Sequence, residues 1–194
     1  MKLVGITGSI GCGKTTLANI VNDLGYCVFD IDSWVRSIYY NKIFLSKLGK
    51  LFPNSVINGV ADKRYLRNIV FSDNNKLKQL ENLIYPFLNR KIRYTINKYA
   101  RKNYICFLDA ALLFEKGWSK YCDVIILADV DYETQKQRVM KRDNISAEDF
   151  DKINDIQIKN SDKKFLCDIV IDTNKRKNLL KAEVIKLIEN IGIL

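Results

Sequence analysis

Eight residues near the start of the chain restrict its fold more than any others: Gly8, Ser9, Ile10, Gly11, Cys12, Gly13, Lys14 and Thr15 fit the pattern G-x-x-x-x-G-K-[ST]. The pattern carries weight because of its setting. Lys2–Thr7 is a short apolar run of strand type, and Leu17, Ile20, Val21 and Leu24 fall on one face of a helix that starts at Lys14 and stops before Gly25. A glycine-rich turn between a strand and a helix can aim backbone N–H groups at an anion without Cβ clashes, and the helix start adds its positive dipole end. Lys14 would then reach the β- and γ-phosphates of a nucleotide, and the Thr15 hydroxyl a Mg²⁺ ion. Cys12 fits the turn as a small residue.

The rest of the chain repeats the alternation that this beginning sets. Tyr26–Asp30, Tyr104–Asp109, Asp123–Asp129 and Ile169–Asp172 are further runs of strand length, and helical patterns cover 33–51, 62–71, 75–102, 132–141, 146–158 and 175–191. Leu77, Leu80, Ile84, Leu88, Ile92 and Ile96 keep helical spacing, with Pro86 expected to kink or split that helix. Ser146 and Asp149 have the spacing of a helix cap. Five apolar strands alternating with helices predict an α/β P-loop three-layer sandwich on a five-stranded parallel sheet. No good strand is visible from Trp34 to Lys102, too long a stretch for a simple crossover, so it reads as a helical insertion beside the sheet. The polar segment 141–164 reads as a lid. The division is therefore a single domain: core 1–33, 103–140 and 165–194, insertion 34–102, lid 141–164.

Composition narrows the chemistry. The chain has no histidine, so a general base must be a carboxylate or, failing that, Lys, Tyr or Cys. Its five cysteines are scattered, odd in number and without zinc spacing, which predicts free thiols in a reducing cytoplasm. The apolar start is too short for a signal segment, and no apolar run approaches 18 residues, so no membrane association is expected. The net charge of +10 suits a phosphate-rich ligand or a general bias toward lysine. Without a clustered basic stripe or a stacking motif, nucleic acid is not expected as a partner.

Acidic groups lie where ligands of open α/β sheets bind, past the carboxyl ends of strands. Asp30 and Asp32 follow the second strand and Asp109 ends the third. Asp32 could face a ligand or cap the next helix, and Arg36, four residues on, could hold a phosphate or pair on the surface. Asp109 suits Mg²⁺ or a helix cap, and Glu115 could serve the site or only the surface. Arg138 and Arg142 share a helical face, either closing on a phosphoryl group or simply solvated. Lys63, Arg64 and Arg67 begin a helix and leave the same choice open.

These residues, in this order, resemble a known family. Val4–Thr16 is similar to the G-L-T-G-G-I-G-S-G-K-S opening of dephospho-CoA kinases. Asp30-Ile31-Asp32 with Arg36 resembles their D-A-D-x-x-x-R, and Asp109–Glu115 their D-V-P-L-L-F-E. Arg138–Asp143 resembles the R-x-x-x-R-D lid start, Gln157 a lid glutamine, and 168–174 the closing A-D-x-V-I-D-N. The resemblance spans residues 3 to about 175. It implies that Gly8–Thr16, Arg138 and Asn174 bind ATP, and that Thr15 and Asp109 hold Mg²⁺. It also implies that Lys14 and Arg142 stabilise the moving γ-phosphoryl group while Asp32 acts as base toward the ribose 3′-hydroxyl of dephospho-CoA. Arg36, Lys63 and Leu112 would contact that substrate, the helical substrate-binding insertion would receive its CoA portion, and a monomer or weak homo-oligomer is expected. Tyr85 stands for the family's His, Ala111 for Pro, Lys63 for Arg and Lys175 for Gly. Another small-molecule or nucleotide P-loop kinase is the alternative. A GTP-binding switch is disfavoured by the lack of N-K-x-D and D-x-x-G.

Overall fold

The computed structural model describes residues 1–99 and 104–193. In chain order its elements are β1 (Lys2–Thr7), α1 (Lys14–Asp23), β2 (Cys27–Asp30), α2 (Ile31–Ile38), α3 (Lys42–Leu51), β3 (Val56–Ile57), β4 (Val60–Ala61), α4 (Lys63–Phe71) and α5 (Asn74–Tyr99). There follow β5 (Ile105–Asp109), a 3₁₀ turn at Ser119–Tyr121, β6 (Val124–Asp129), α6 (Tyr132–Asp143), α7 (Ala147–Asp155), α8 (Asn160–Lys163), β7 (Ile169–Asp172) and α9 (Lys177–Ile193). The chain divides into two compact units, one of Met1–Asp30 with Lys102–Leu194 and one of Ile31–Arg101.

In the first unit, Leu3, Val4, Ile6, Phe107, Leu108 and Ile126 are almost wholly buried, as strands covered on both faces require. They form a parallel sheet in the order β2-β5-β1-β6-β7. One face packs against α1 and α9 through Leu17, Ile20, Val21, Leu180, Val184 and Ile188. The register sets Asp30 beside Asp109, and Asp129 beside Asp172. The carboxyl edge of the sheet is thus an acidic rim, and the loops that leave it carry the site.

In the second unit, α2, α3 and α4 pack on α5. Phe44 lies edge-on to Tyr39 and Phe87, at centroid distances of 5.2 and 5.6 Å. The buried stripe of α5 is Leu80, Ile84, Leu88, Ile92 and Thr95, while Leu77, expected on that face, is exposed.

Three expectations need correction. Pro86 does not split α5, which is one helix of 26 residues. A lost hydrogen bond in mid-helix costs about 3 kcal/mol, and the continuous buried stripe on both sides of Pro86 offsets it. The stretch thought free of strands contains the antiparallel hairpin β3–β4. Its turn, Asn58-Gly59, has φ of 51° and 78°, the left-handed pair of a type I′ hairpin. Two-residue strands are too short to show alternation, but the Asn-Gly pair was a legible signal. Finally, Asp32 is not the N-cap of the helix after β2. That helix begins at Ile31, so Asp32 sits within its first turn. The expected end of the long helix at Lys102 lies outside the described residues.

Candidate functional site

The phosphate loop is built as the motif requires. Gly11 and Gly13 both have φ of 81°, a left-handed conformation that strains any other L-residue. A Cβ on Gly11 would sit 2.5 Å from Val139 Cγ2, and one on Gly13 2.7 Å from Thr173 Oγ1. Alanine is therefore barred at both positions by strain and by collision. The first intrahelical bond of α1 runs from Leu17 N to Gly13 O at 3.1 Å. The amides of Lys14, Thr15 and Thr16 precede it, as at any helix start, and form the electropositive end of the helix. Gly13 caps the helix without a side chain, and Thr15 and Thr16 are exposed. This end of α1 suits an anion.

Lys14 Nζ donates to Asp109 Oδ1 at 2.5 Å, with both side chains largely buried. The motif lysine and the acid at the end of β5 are thus brought together, although 95 residues separate them. Cys12 lies fully buried within the loop. Burial, reinforced by Asp129, pushes its thiol up to about 11, so it is a packing residue and not a thiolate nucleophile at neutral pH.

Behind the loop, Thr173 Oγ1 donates to Cys12 O at 2.7 Å. Arg138 Nη1 donates to Thr173 Oγ1 and Nη2 to Thr173 O, both at 3.2 Å, and Nη2 reaches Asn174 Oδ1 at 3.4 Å. Arg138 and Asn174, expected together at the nucleotide, are together and tied to the phosphate loop through Thr173. Arg142 is not. It is exposed and donates through Nε and Nη2 to the two carboxylate oxygens of Asp143, at 2.8 and 2.7 Å. That pair raises the guanidinium's value and lowers that of Asp143.

The segment expected as a lid has two characters. α7 is capped by the Ser146 hydroxyl, which accepts from Asp149 N at 3.1 Å, as the spacing foretold. Residues 157–164 instead lie on the phosphate loop. Gln157 Oε1 accepts from Ile10 N at 2.9 Å. Asn160 Oδ1 accepts from Ser9 N at 3.0 Å and Ser9 Oγ at 2.9 Å. Lys163, fully buried, pairs with Glu115 Oε1 at 3.1 Å and donates to Ala111 O at 3.0 Å. Glu115 Oε1 also accepts from Ile158 N at 3.0 Å. Within the 157–164 segment only Gln157 was singled out from sequence, as a lid glutamine. Asn160 and Lys163 carried no local signal, because their partners lie 31 to 151 residues away.

In the second unit, Val35, Leu66, Val70 and Leu80 line a cavity of about 280 Å³ with Tyr39 and the cations Arg36, Lys63 and Arg67. The ammonium of Lys63 stands 5.3 Å from the Tyr39 ring centroid and 5.8 Å from that of Tyr40. An apolar wall with several cations suits a ligand that joins an anionic group to an apolar arm. The structure thus gathers Arg36, Lys63 and Arg67 in one cavity, whose lining does not include Arg64. Asp32 is exposed on α2, and Leu112 lies half-buried in the loop after β5.

Comparison with known proteins gives one consistent result. A family model described as dephospho-CoA kinase matches residues 2–178. The dephospho-CoA kinase of Bartonella quintana (strain Toulouse) is 34% identical over 192 residues, which is 98% of each chain. Among solved structures, TT1252 from Thermus thermophilus has 32% identity and a TM-score of 0.83 over 97% of each chain. The dephospho-CoA kinase from Campylobacter jejuni has 26% identity and a TM-score of 0.73 over 99% of this chain and 98% of its own. With the motif, the parallel sheet and the built phosphate loop all in place, the chain belongs to the dephospho-CoA kinase family.

Proposed function

We propose that the protein transfers the γ-phosphate of ATP to the ribose 3′-hydroxyl of dephospho-CoA, giving CoA and ADP. The observation that carries this reading is the buried Lys14–Asp109 pair at the head of α1, in a chain aligned with dephospho-CoA kinases over nearly its whole length. A triphosphate on the loop would offer Lys14 a new anionic partner and release Asp109. A hydroxyl, one freed carboxylate and phosphate oxygens form a hard-oxygen donor set that fits Mg²⁺. Thr15 and Asp109 are the residues to hold it. Among the described residues no group of three acidic, Cys or His side chains could bind a metal alone, and Mg²⁺ in such sites takes the rest of its shell from water and substrate phosphates. Bound there, the ion would neutralise charge on the β- and γ-phosphates.

Each remaining residue has a stated task in this reading. The amides at the start of α1 hold the phosphates. Arg138 orients Asn174, which lies toward the adenine. Arg142 exchanges Asp143 for the moving phosphoryl group when both substrates are bound. Asp32 accepts the proton of the ribose hydroxyl. A loose transition state lets that proton leave late, so an ordinary carboxylate suffices in a chain without histidine. Arg36 and Lys63, with the apolar wall beside them, receive the CoA portion, and Leu112 packs against it. The protein acts in the cytoplasm as a monomer or weak homo-oligomer. Among the described residues no helix is long and apolar enough to cross a membrane.

The test is ADP release from ATP with and without dephospho-CoA, with the product's phosphate located by ³¹P NMR. Wild type should form ADP only with the acceptor and place phosphate on the 3′-oxygen. Asp32→Asn should slow this by about a hundredfold. Equal ADP release without the acceptor, or faster transfer to a simple nucleoside, would refute the assignment.

A further inference from the structure

Residues 157–164 fasten the phosphate loop to the carboxyl edge of the sheet, with Asn160 at the centre. Its carbonyl oxygen accepts from Ser9 N at 3.0 Å and lies 2.9 Å from Ser9 Oγ, whose hydroxyl also reaches Ile158 O at 3.2 Å. Its amide nitrogen donates to Ala128 O at 3.1 Å and Asp129 Oδ1 at 2.9 Å, at the end of β6, and touches Cys12 Sγ at 3.0 Å. One planar amide thus links the leading limb of the loop to a sheet strand. Only a side chain with an acceptor and two donors in one plane can do this. Both flanks are anchored. Lys164 pairs with Asp129 Oδ2 at 2.7 Å, Lys163 is buried against Glu115 and Ala111, and Gln157 holds Ile10 N.

The two limbs of the loop are consequently treated differently. On the Ser9–Ile10 limb the amides are satisfied by side chains of the 157–164 segment. The Lys14–Thr16 limb instead forms the start of α1, ahead of its first helical bond. Left untethered, the leading amides would compete for the same anion and let the loop settle in several conformations.

We propose that Asn160 is a positioning residue for phosphoryl transfer: it fixes the leading limb of the phosphate loop against β6 so that the terminal phosphate is presented in one orientation. The proposal rests on the reading that this loop grips the ATP triphosphate. Asn160 does not itself touch the reacting atoms. Its effect is on alignment, where a displacement of about 1 Å is enough to cost a hundredfold in rate. An aspartate at the same position would keep an acceptor for Ser9 but lose both donated bonds and set a second carboxylate against Asp129.

The experiment compares full-length wild type, Asn160→Ala, Asn160→Asp and Gln157→Ala in steady-state kinetics with ATP and dephospho-CoA varied, alongside ADP affinity by calorimetry and thermal melts. For Asn160→Ala, kcat should fall by about tenfold to a hundredfold, with the KM for dephospho-CoA and the affinity for ADP little changed. Asn160→Asp should fail to restore kcat, and Gln157→Ala should show the same split in smaller measure. Unchanged kcat in Asn160→Ala would overturn the proposal. So would a loss that tracks the unfolded fraction and vanishes at a temperature where the variant is fully folded. If wild type turned over ATP only with a different acceptor, the substrate reading would fail, whereas the kcat split measured with that acceptor would still decide the role of Asn160.

Discussion

The two units hold their candidate residues by opposite means. In the unit of Met1–Asp30 and Lys102–Leu194, the phosphate loop is tied down by side chains from distant parts of the chain: Asp109, Gln157, Asn160 and Thr173. In the unit of Ile31–Arg101, Arg36, Lys63 and Arg67 are exposed around an apolar cavity, placed by the helices that bear them. The contrast follows from the ligands each would take. A triphosphate is compact and always the same, so a rigid cradle made in advance serves it best. A long acceptor with an anionic group and an apolar arm is served by cations on flexible stems beside an apolar wall.

Substitutions in the two units should therefore fail differently. Lys14→Ala should have the largest effect, lowering kcat by about a thousandfold because a charge aimed at the transferring group is lost. It should also remove the ammonium that Asp109 accepts from, and a kcat within tenfold of wild type would break the comparison. Lys163→Met should be next, and it should appear in stability. Removing one member of a buried pair costs about 3–5 kcal/mol, with Glu115 left charged and enclosed. Glu115 already has one oxygen, Oε2, buried without a hydrogen bond. A thermal melt would show a fall of about 10 °C in a chain of this size, and an unshifted melt would mean that water reaches the pair.

Lys63→Ala should be milder and confined to the acceptor, raising the KM for dephospho-CoA by about tenfold at unchanged KM for ATP, as for one exposed cation on an anionic group. Lys63→Arg, which brings in the residue usual in the family, should restore binding and sharpen this assignment. Equal effects on both substrates would argue that Lys63 supports the fold of its unit.

The smallest effect is expected at the Tyr132–Asp151–Lys136 cluster, where the Tyr132 hydroxyl donates to Asp151 and Lys136 lies 3.2 Å from Oδ2. The Tyr132 hydroxyl first, then Lys136, holds the Asp151 carboxyl below its ordinary value. A depressed carboxylate adds stability above its unfolded value and loses it as pH falls through the folded one. The melting difference between wild type and Asp151→Asn should thus be present at neutral pH and close in acid. It should be slight throughout because the group is exposed. A difference that grows on acidification would reverse the sign of this assignment.

Much of this was legible in one dimension, and the reason can be seen residue by residue. Strands and helices declare themselves through periodicity, because burial on a sheet face or a helix stripe repeats every few residues. All five sheet strands follow that logic, and the cap at Ser146 follows from its spacing to Asp149. The phosphate loop was legible for a related reason: the strained turn, the lysine and the helix start are contiguous, so the whole device fits in eight residues. The β3–β4 hairpin escaped because two residues per strand show no period, and of the two outcomes open at Pro86 the split is excluded because propensity yields to packing along a long helix.

What the sequence by itself determined, then, is the five sheet strands with their helices, the phosphate cradle and the family, each encoded by neighbours or by ordered motifs. Only the tertiary structure decided that Lys14 rests on Asp109, that Arg142 turns to Asp143 and not to the loop, and that Asn160 and Lys163 bind residues up to 151 positions away. The long-range pairings among these leave no local trace. A hydrogen bond depends on where two atoms meet in space, and that is settled only when the sheet register and the packing of every intervening element have been fixed.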